Sequence, residues 1–196
     1  AAERVLEYDS WADAGLRVEE KRERVASLTQ LLAGYEALPP SQRDPRVEAG
    51  ILNRLGSLAF SLGELEDARR AFDRSLAITR EIGDRKGEGA TLNNLSQIYD
   101  ACGDYDQALR YLEQSLTIMR EIGDRKGESV TLNNISNIHS ARGDYEGALA
   151  YSEEDLRITR EIGDRAGEGV TLNTLAAIAH ARGDYEQALR YLEQSL

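Results

Sequence analysis

The chain has 196 residues, 41% hydrophobic and 30% charged, a composition that suits a folded protein and excludes a disordered tail. Its formal charge of −11 repels phosphate backbones and anionic lipid, which excludes nucleic acid and membrane surfaces as first partners. A single cysteine, Cys102, excludes an internal disulfide framework and a cysteine-rich zinc site.

One cysteine also fits a reducing compartment, and a cytoplasmic location is expected. No apolar run approaches the roughly 20 residues needed to span a bilayer, and no signal-peptide pattern opens the chain. The first residue is not Met and the last residues stop inside a repeat, so the expectation is a part of a longer protein.

Taken in chain order, residues 1–43 are expected to form a helical cap or a degenerate repeat. Within them, residues 18–38 carry Val25, Leu28, Leu32 and Tyr35 on one helical face. Trp11 is read either as a cap on the first full repeat or as part of an upstream segment. The stretch "PPSQRDP" (39–45) holds all three prolines and reads as a loop. Four units follow, at 44–80, 81–120, 121–160 and 161–196, the last truncated in its second helix. The period is 40 residues: "EIGDRKGE" at 81–88 returns unchanged at 121–128, and at 161–168 with Ala166 in place of Lys126.

Each unit reads as two helices, here A and B. In the second unit, Leu92, Leu95, Ile98 and Tyr99 recur at three- and four-residue spacing, as do Tyr105, Ala108, Leu109, Leu112 and Leu116. Between A and B, Gly103 can end one helix in the left-handed conformation. Asp104 then caps the next, with Gln107 expected to complete a capping box; Asp184 and Gln187 repeat the pair. Asp144 keeps the cap, and Gly147 loses the box. Between units, "IGDR" ends helix B at Gly83 and restarts a helix at Asp84, a device repeated at Gly123–Asp124 and Gly163–Asp164. Neither helix pair buries its apolar stripe alone, so neighbours must stack. The predicted fold is all-α: a right-handed α-solenoid of stacked antiparallel helix pairs with a concave and a convex side.

These positions resemble the tetratricopeptide repeat family. Its pattern of large apolar, small and aromatic residues on helix A, and small and bulky residues on helix B, matches Leu92, Leu95, Ser96, Tyr99, Ala108, Leu112 and Ser115. The next unit reads Leu132, Ile135, Ser136, His139, Ala148, Ser152 and Asp155, where Ser152 and Asp155 weaken the stripe and predict a looser helix B. The resemblance covers residues 44–196. The period of 40 departs from the usual length of about 34, and Arg80, Arg120 and Arg160 replace the usual terminal proline. The 40-residue form with "TLNNL" most resembles kinesin light chains, spindle-orientation adaptors and bacterial regulatory arrays.

In that family helix A lines the concave groove. The resemblance therefore places Asn53, Asn93, Asn133 and Asn173 in the groove, one unit apart. Gln97 and Asn137 extend the strip, and Asp100, Ser140 and His180 lie one turn further. A carboxamide donates to a peptide C=O and accepts from its N–H at once, so a ladder of them can grip an extended backbone. The plainer alternative is asparagine tolerated on a solvent-facing helix. Asn94 and Asn134, which become Arg54 and Thr174 in the outer copies, are assigned to helix–helix hydrogen bonds. No Lys or Arg stands among the groove positions, so a neutral or basic partner segment is favoured over an acidic C-terminal one.

The remaining signals read as architecture. "GDRKGEG" lacks the preceding strand and Gly-Lys-Ser/Thr ending of a phosphate loop. "RGD" at 142–144 and 182–184 falls in turns where Gly and Asp already have capping roles. His139 takes the family's core aromatic position and is expected to be a satisfied interior imidazole. His180 has no cysteine or histidine at metal-ligand spacing, and Cys102 has no nearby histidine base. No catalytic, cofactor-binding or metal-binding residues are expected, and no enzyme activity. The expected function is a scaffold holding an extended peptide segment of a protein partner in the groove. The alternatives are a regulatory or sensor arm beside an ATPase, protease or transcription-regulator domain, and homo-oligomerisation through exposed ends.

Overall fold

The computed structural model describes residues 15–195; Trp11 and Leu196 lie outside them. Nine α-helices occur among the described residues: α1 (Val18–Glu36), α2 (Pro45–Ser61), α3 (Leu65–Glu81), α4 (Arg85–Ala101), α5 (Tyr105–Ile122), α6 (Arg125–Ala141), α7 (Tyr145–Ile162), α8 (Arg165–Ala181) and α9 (Tyr185–Gln194), with a single 3-10 turn at Pro40–Gln42. From α2 onward the connections are only two or three residues long, the length of an αα-hairpin turn between the antiparallel helices of each unit. The chain is an all-α repeat fold of helix pairs. It divides into two compact units, residues 1–98 and 99–196, the boundary falling within α4.

In the first unit, α1 buries Leu28, Leu32 and Tyr35 against Val47, Ile51, Leu52, Leu55 and Leu58 of α2. One period separates Leu28 and Leu32 from Ala68 and Phe72, and both buried leucines pack on α2. The proline-bearing loop is tied down by the Tyr35 hydroxyl, which donates to the Asp44 carbonyl at 2.6 Å, while the Asp44 side chain caps α2 at the Arg46 N–H. In the second unit, Ala108, Leu112 and Leu116 of α5 pack with Leu132, Ile135 and Ile138 of α6 and Ile158 of α7. Leu28, Leu32, Tyr35, Ala108, Leu112 and Leu116 are positions that the helical spacing predicts.

The turns follow the expected chemistry with one correction. Gly103 and Gly123 adopt φ of 75° and 70°, a region that side-chain-bearing residues avoid. Asp84, Asp124 and Asp164 each accept the N–H three residues on, at 2.9–3.0 Å. Asp104 likewise accepts from the Gln107 N–H at 3.1 Å. The capping box expected from Gln107 does not form, because the Asp104 N–H already bonds the Tyr99 carbonyl at 2.9 Å. Asp184 is in the same position, its N–H bonded to Ala179. The left-handed turn satisfies the cap residue's own N–H, so the box has no donor left to serve.

The repeated octapeptide does more than turn the chain. In the first unit, Arg80 Nε and Arg85 Nη1 hold the two oxygens of Glu88 at 2.9 and 2.7 Å. In the second, Arg120 and Arg125 hold Glu128 at 2.9 and 2.5 Å. Arg160 bonds Glu168 at 2.6 Å. Glu128 is buried, its side chain 4% exposed; two charge-assisted bonds offset the desolvation of that carboxylate. Arg80 and Arg120 are thus one jaw of a two-arginine clamp across their turns, and Arg160 crosses the next turn to Glu168.

The looseness expected of helix B in the repeat at 121–160 is not found. Helix α7 runs unbroken, and Ser152 and Asp155 are buried. Ser152 shares a 2.6 Å hydrogen bond with Ser136. Asp155 accepts from the hydroxyls of Ser129 and Thr171, the latter at 2.6 Å. Hydrogen bonds take over where the apolar stripe lapses.

Candidate functional site

The predicted groove residues all lie on the A-type helices α2, α4, α6 and α8. Their side chains are not equivalent. In the first unit, Asn53 is half-buried and its Oδ1 accepts from Asn94 Nδ2 at 2.8 Å. Asn93 is buried, 8% exposed, and Gln97 is half-buried. In the second unit, Asn133 donates to Thr174 Oγ1 at 3.3 Å and accepts from Asn137 Nδ2 at 3.2 Å. Asn137 and Asn173 are exposed, and Ser140 is half-buried. Asp100 lies at the surface, and shielding by the surrounding chain pushes its carboxyl above the usual range.

The helix–helix bond expected of Asn94 is present, with the ladder residue Asn53 as its partner; Thr174, one period after Asn134, accepts from the ladder residue Asn133. Part of the ladder's hydrogen-bonding capacity therefore joins A-type helices within a unit. Sequence spacing marks which face a residue occupies; it does not show whether a neighbour already holds it.

One open cleft of about 350 Å³ lies in the second unit. Asn137 and Ser140 line it from α6. Val170, Asn173, Thr174, Ala177 and Ile178 line it from α8. Three of the predicted groove residues, Asn137, Ser140 and Asn173, thus meet in one place. His180 is not among the lining residues; its ring lies edge-on to Tyr185 with centroids 5.2 Å apart. The lining carries no ionisable side chain. Val170 is 53% exposed, and Val130, at the same position one period earlier, is 47% exposed. The sequence reading passed over these valines. The available signal was a change at one position across the units, from Gly50 and Ala90 to Val130 and Val170.

The other flagged residues are engaged elsewhere. Arg142 and Arg182 of the two "RGD" tripeptides pair with Asp106 and Glu146 at 2.8 and 2.7 Å. His139 is half-buried, with Nδ1 2.7 Å from Asp144 Oδ2 and its ring stacked on Tyr151. That imidazole, with the Gly147 N–H as the larger contribution, holds the Asp144 carboxyl below its usual range. Cys102 is free and exposed. Among the described residues, no cluster of three or more His, Cys, Asp or Glu has metal-holding geometry, and no helix is long and apolar enough to cross a membrane.

The tetratricopeptide repeat family model matches residues 47–121 and 127–196. The chain belongs to the tetratricopeptide repeat family. No curated protein matches this repeat chain. Among solved structures, a Podosopora anserina chain assigned as a kinesin light chain with nearly identical TPR-like repeats is similar at 18% identity and a TM-score of 0.72, over 90% of this chain and 85% of that one. A signal-transduction ATPase with a tetratricopeptide repeat sensor, from Pyrococcus horikoshii, is similar at 25% identity and a TM-score of 0.76, over 90% of this chain and 27% of that one. A Rap protein complexed with Competence and Sporulation Factor is similar at 13% identity and a TM-score of 0.79, over 90% of this chain and 48% of that one. The chain is a protein-interaction repeat module of the tetratricopeptide repeat family.

Proposed function

We propose that this chain holds an extended peptide segment of a partner protein against the A-helix face of its second unit. The observation that carries the reading is the cleft lined by Asn137, Ser140, Asn173 and Thr174 together with Val170, Ala177 and Ile178. Carboxamides and hydroxyls both donate and accept, which suits a peptide backbone. Neutral lining on a chain of charge −11 favours a neutral or basic segment. Affinity capture from a lysate with the chain and its Asn137→Ala/Asn173→Ala form as paired baits tests the reading. A partner held by the first and lost by the second supports it. Equal retention by both places the contact elsewhere and overturns it.

A second reading rests on the Pyrococcus neighbour, whose repeats are described as a sensor. In that reading the same groove takes a segment that regulates a linked effector domain. A third rests on α9. Tyr185, Leu189 and Leu192 are 66%, 58% and 45% exposed, whereas Leu112, the counterpart of Leu192 in α5, is fully buried. That face would support self-association, and a sedimentation coefficient that does not change with protein concentration would exclude it.

A further inference from the structure

We infer that Asp155 is a positioning residue beneath the groove of the second unit, and that it makes the cleft there an acceptor site for a lysine or arginine side chain of the partner segment. The inference rests on the groove reading above and names the chemistry of the occupant. Asp155 lies on α7 and is 1% exposed. It accepts from the hydroxyls of Ser129 on α6 and Thr171 on α8, the latter at 2.6 Å. Asn133 is a further hydrogen-bonding partner. All three partners are neutral. An ionised carboxylate only accepts, so Asn133 meets it with an N–H.

That bond fixes the direction of a chain of hydrogen bonds that reaches the cleft. Asn133 Nδ2 also donates to Thr174 Oγ1 at 3.3 Å. Both hydrogens of the carboxamide are then engaged, and its Oδ1 accepts from Asn137 Nδ2 at 3.2 Å. Thr174 gives its own hydrogen to the Val170 carbonyl at 3.2 Å, which leaves its oxygen as an acceptor. Asn137 and Thr174 both line the cleft. From Asn137 to Asn133 to Asp155, each amide donates toward the buried carboxylate, and dipoles aligned in this way strengthen one another. The open end of the chain is an acceptor, Asn137 Oδ1. Behind it stands a buried charge, which is screened less than one in water. The lining itself carries no charge, so the field of Asp155 decides which sign it prefers. A lysine or arginine side chain gains from the acceptors and from the charge together, whereas a carboxylate of the partner loses on both. Ser75 and Ser115 hold the same repeat position as Asp155, so the charge is a feature of this joint and not a requirement of the fold.

The test is a double-mutant cycle between chain and peptide. Short randomised peptides are selected by display on the unaltered chain. Each enriched peptide is remade with norleucine for lysine or citrulline for arginine. Both versions are titrated against the unaltered chain, Asp155→Asn, Asp155→Ser and Asn137→Ala/Asn173→Ala. Asparagine keeps the shape of aspartate without its charge, serine is the residue of the other joints, and circular dichroism melts verify that each form folds. The expected result is that neutralising the peptide's base weakens binding to the unaltered chain at least about tenfold, and to the two uncharged forms less than about threefold. An Asp155 that only supports the fold would weaken both versions of the peptide by the same factor, which would overturn the inference. Enriched peptides that depend on Asn137 and Asn173 but carry no lysine or arginine would overturn it too. In both cases the groove reading stands. No enrichment, or binding indifferent to Asn137→Ala/Asn173→Ala, would remove the groove reading and the inference with it.

Discussion

The same helix joint is built twice in this chain by opposite means. In the first unit, Gly56 leaves a notch for the ring of Phe72; a Cβ at position 56 would sit 2.5 Å from that ring. In the second unit, the positions 80 residues on are Ser136 and Ser152, which close the joint with a 2.6 Å hydrogen bond. A turn further along, the Ser75 hydroxyl donates to the Ala49 carbonyl at 3.0 Å and lies 3.4 Å from Thr91. Its counterpart is Asp155, which faces Ser129 and Thr171 instead. A carboxylate cannot donate to a carbonyl, so the change from Ser75 to Asp155 works only with the change from Ala49 to Ser129. The repeat backbone tolerates either solution because each side chain fills the space or satisfies the bonds of its opposite number.

The comparison is broken most severely by Phe72→Ala. Emptying a notch lined by a 2%-exposed ring is expected to cost about 3–5 kcal/mol, read from urea unfolding. On the polar side, Thr171→Val keeps the shape but removes one donor from the buried Asp155 carboxyl. The expected cost is about 1.5–3 kcal/mol by the same measurement. Gly56→Ala should cost about 1–3 kcal/mol through overpacking against Phe72, while Ser136→Gly should not gain stability, since no ring waits to fill that notch.

The smallest effect has the opposite sign and depends on pH. Burial pushes the Asp155 carboxyl up, hydrogen bonds from Ser129, Thr171 and Asn133 partly offset this, and the Asp164 charge adds to the rise. An acid whose folded value is raised holds its proton longer in the native state. Its contribution is present in full below the unfolded value, about 3.9, and is lost as pH rises through the folded value. Asp155→Asn keeps an acceptor without the charge. It is expected to raise stability at pH 7 by about 1 kcal/mol, with the advantage over the parent shrinking toward pH 4. A constant difference between the two melting curves across that range would show that Asp155 does not titrate differently on folding.

Much of this was legible in the residues. Period, helix faces, turn glycines and Asp caps depend on neighbours close in the chain, and Leu92, Gly123 and Asp124 are where such rules place them. Three residues of the proposed groove strip, Asn137, Ser140 and Asn173, line one cleft. The Arg120–Glu128–Arg125 clamp was hidden inside a motif that read fully as a turn. The capping box failed because a second acceptor, the Tyr99 carbonyl, already held the N–H. Asn53 and Asn133 read as open rungs because spacing says nothing about Asn94 or Thr174 approaching from the next A-type helix.

By itself, the sequence determined that this is an all-α array of repeated helix pairs, because periodic apolar residues and left-handed glycines act over one or two helical turns. Only the tertiary structure decided which polar groups bond one another and which remain exposed. A hydrogen bond between residues some 41 positions apart, as between Asn53 and Asn94, exists only once packing has brought their helices within reach.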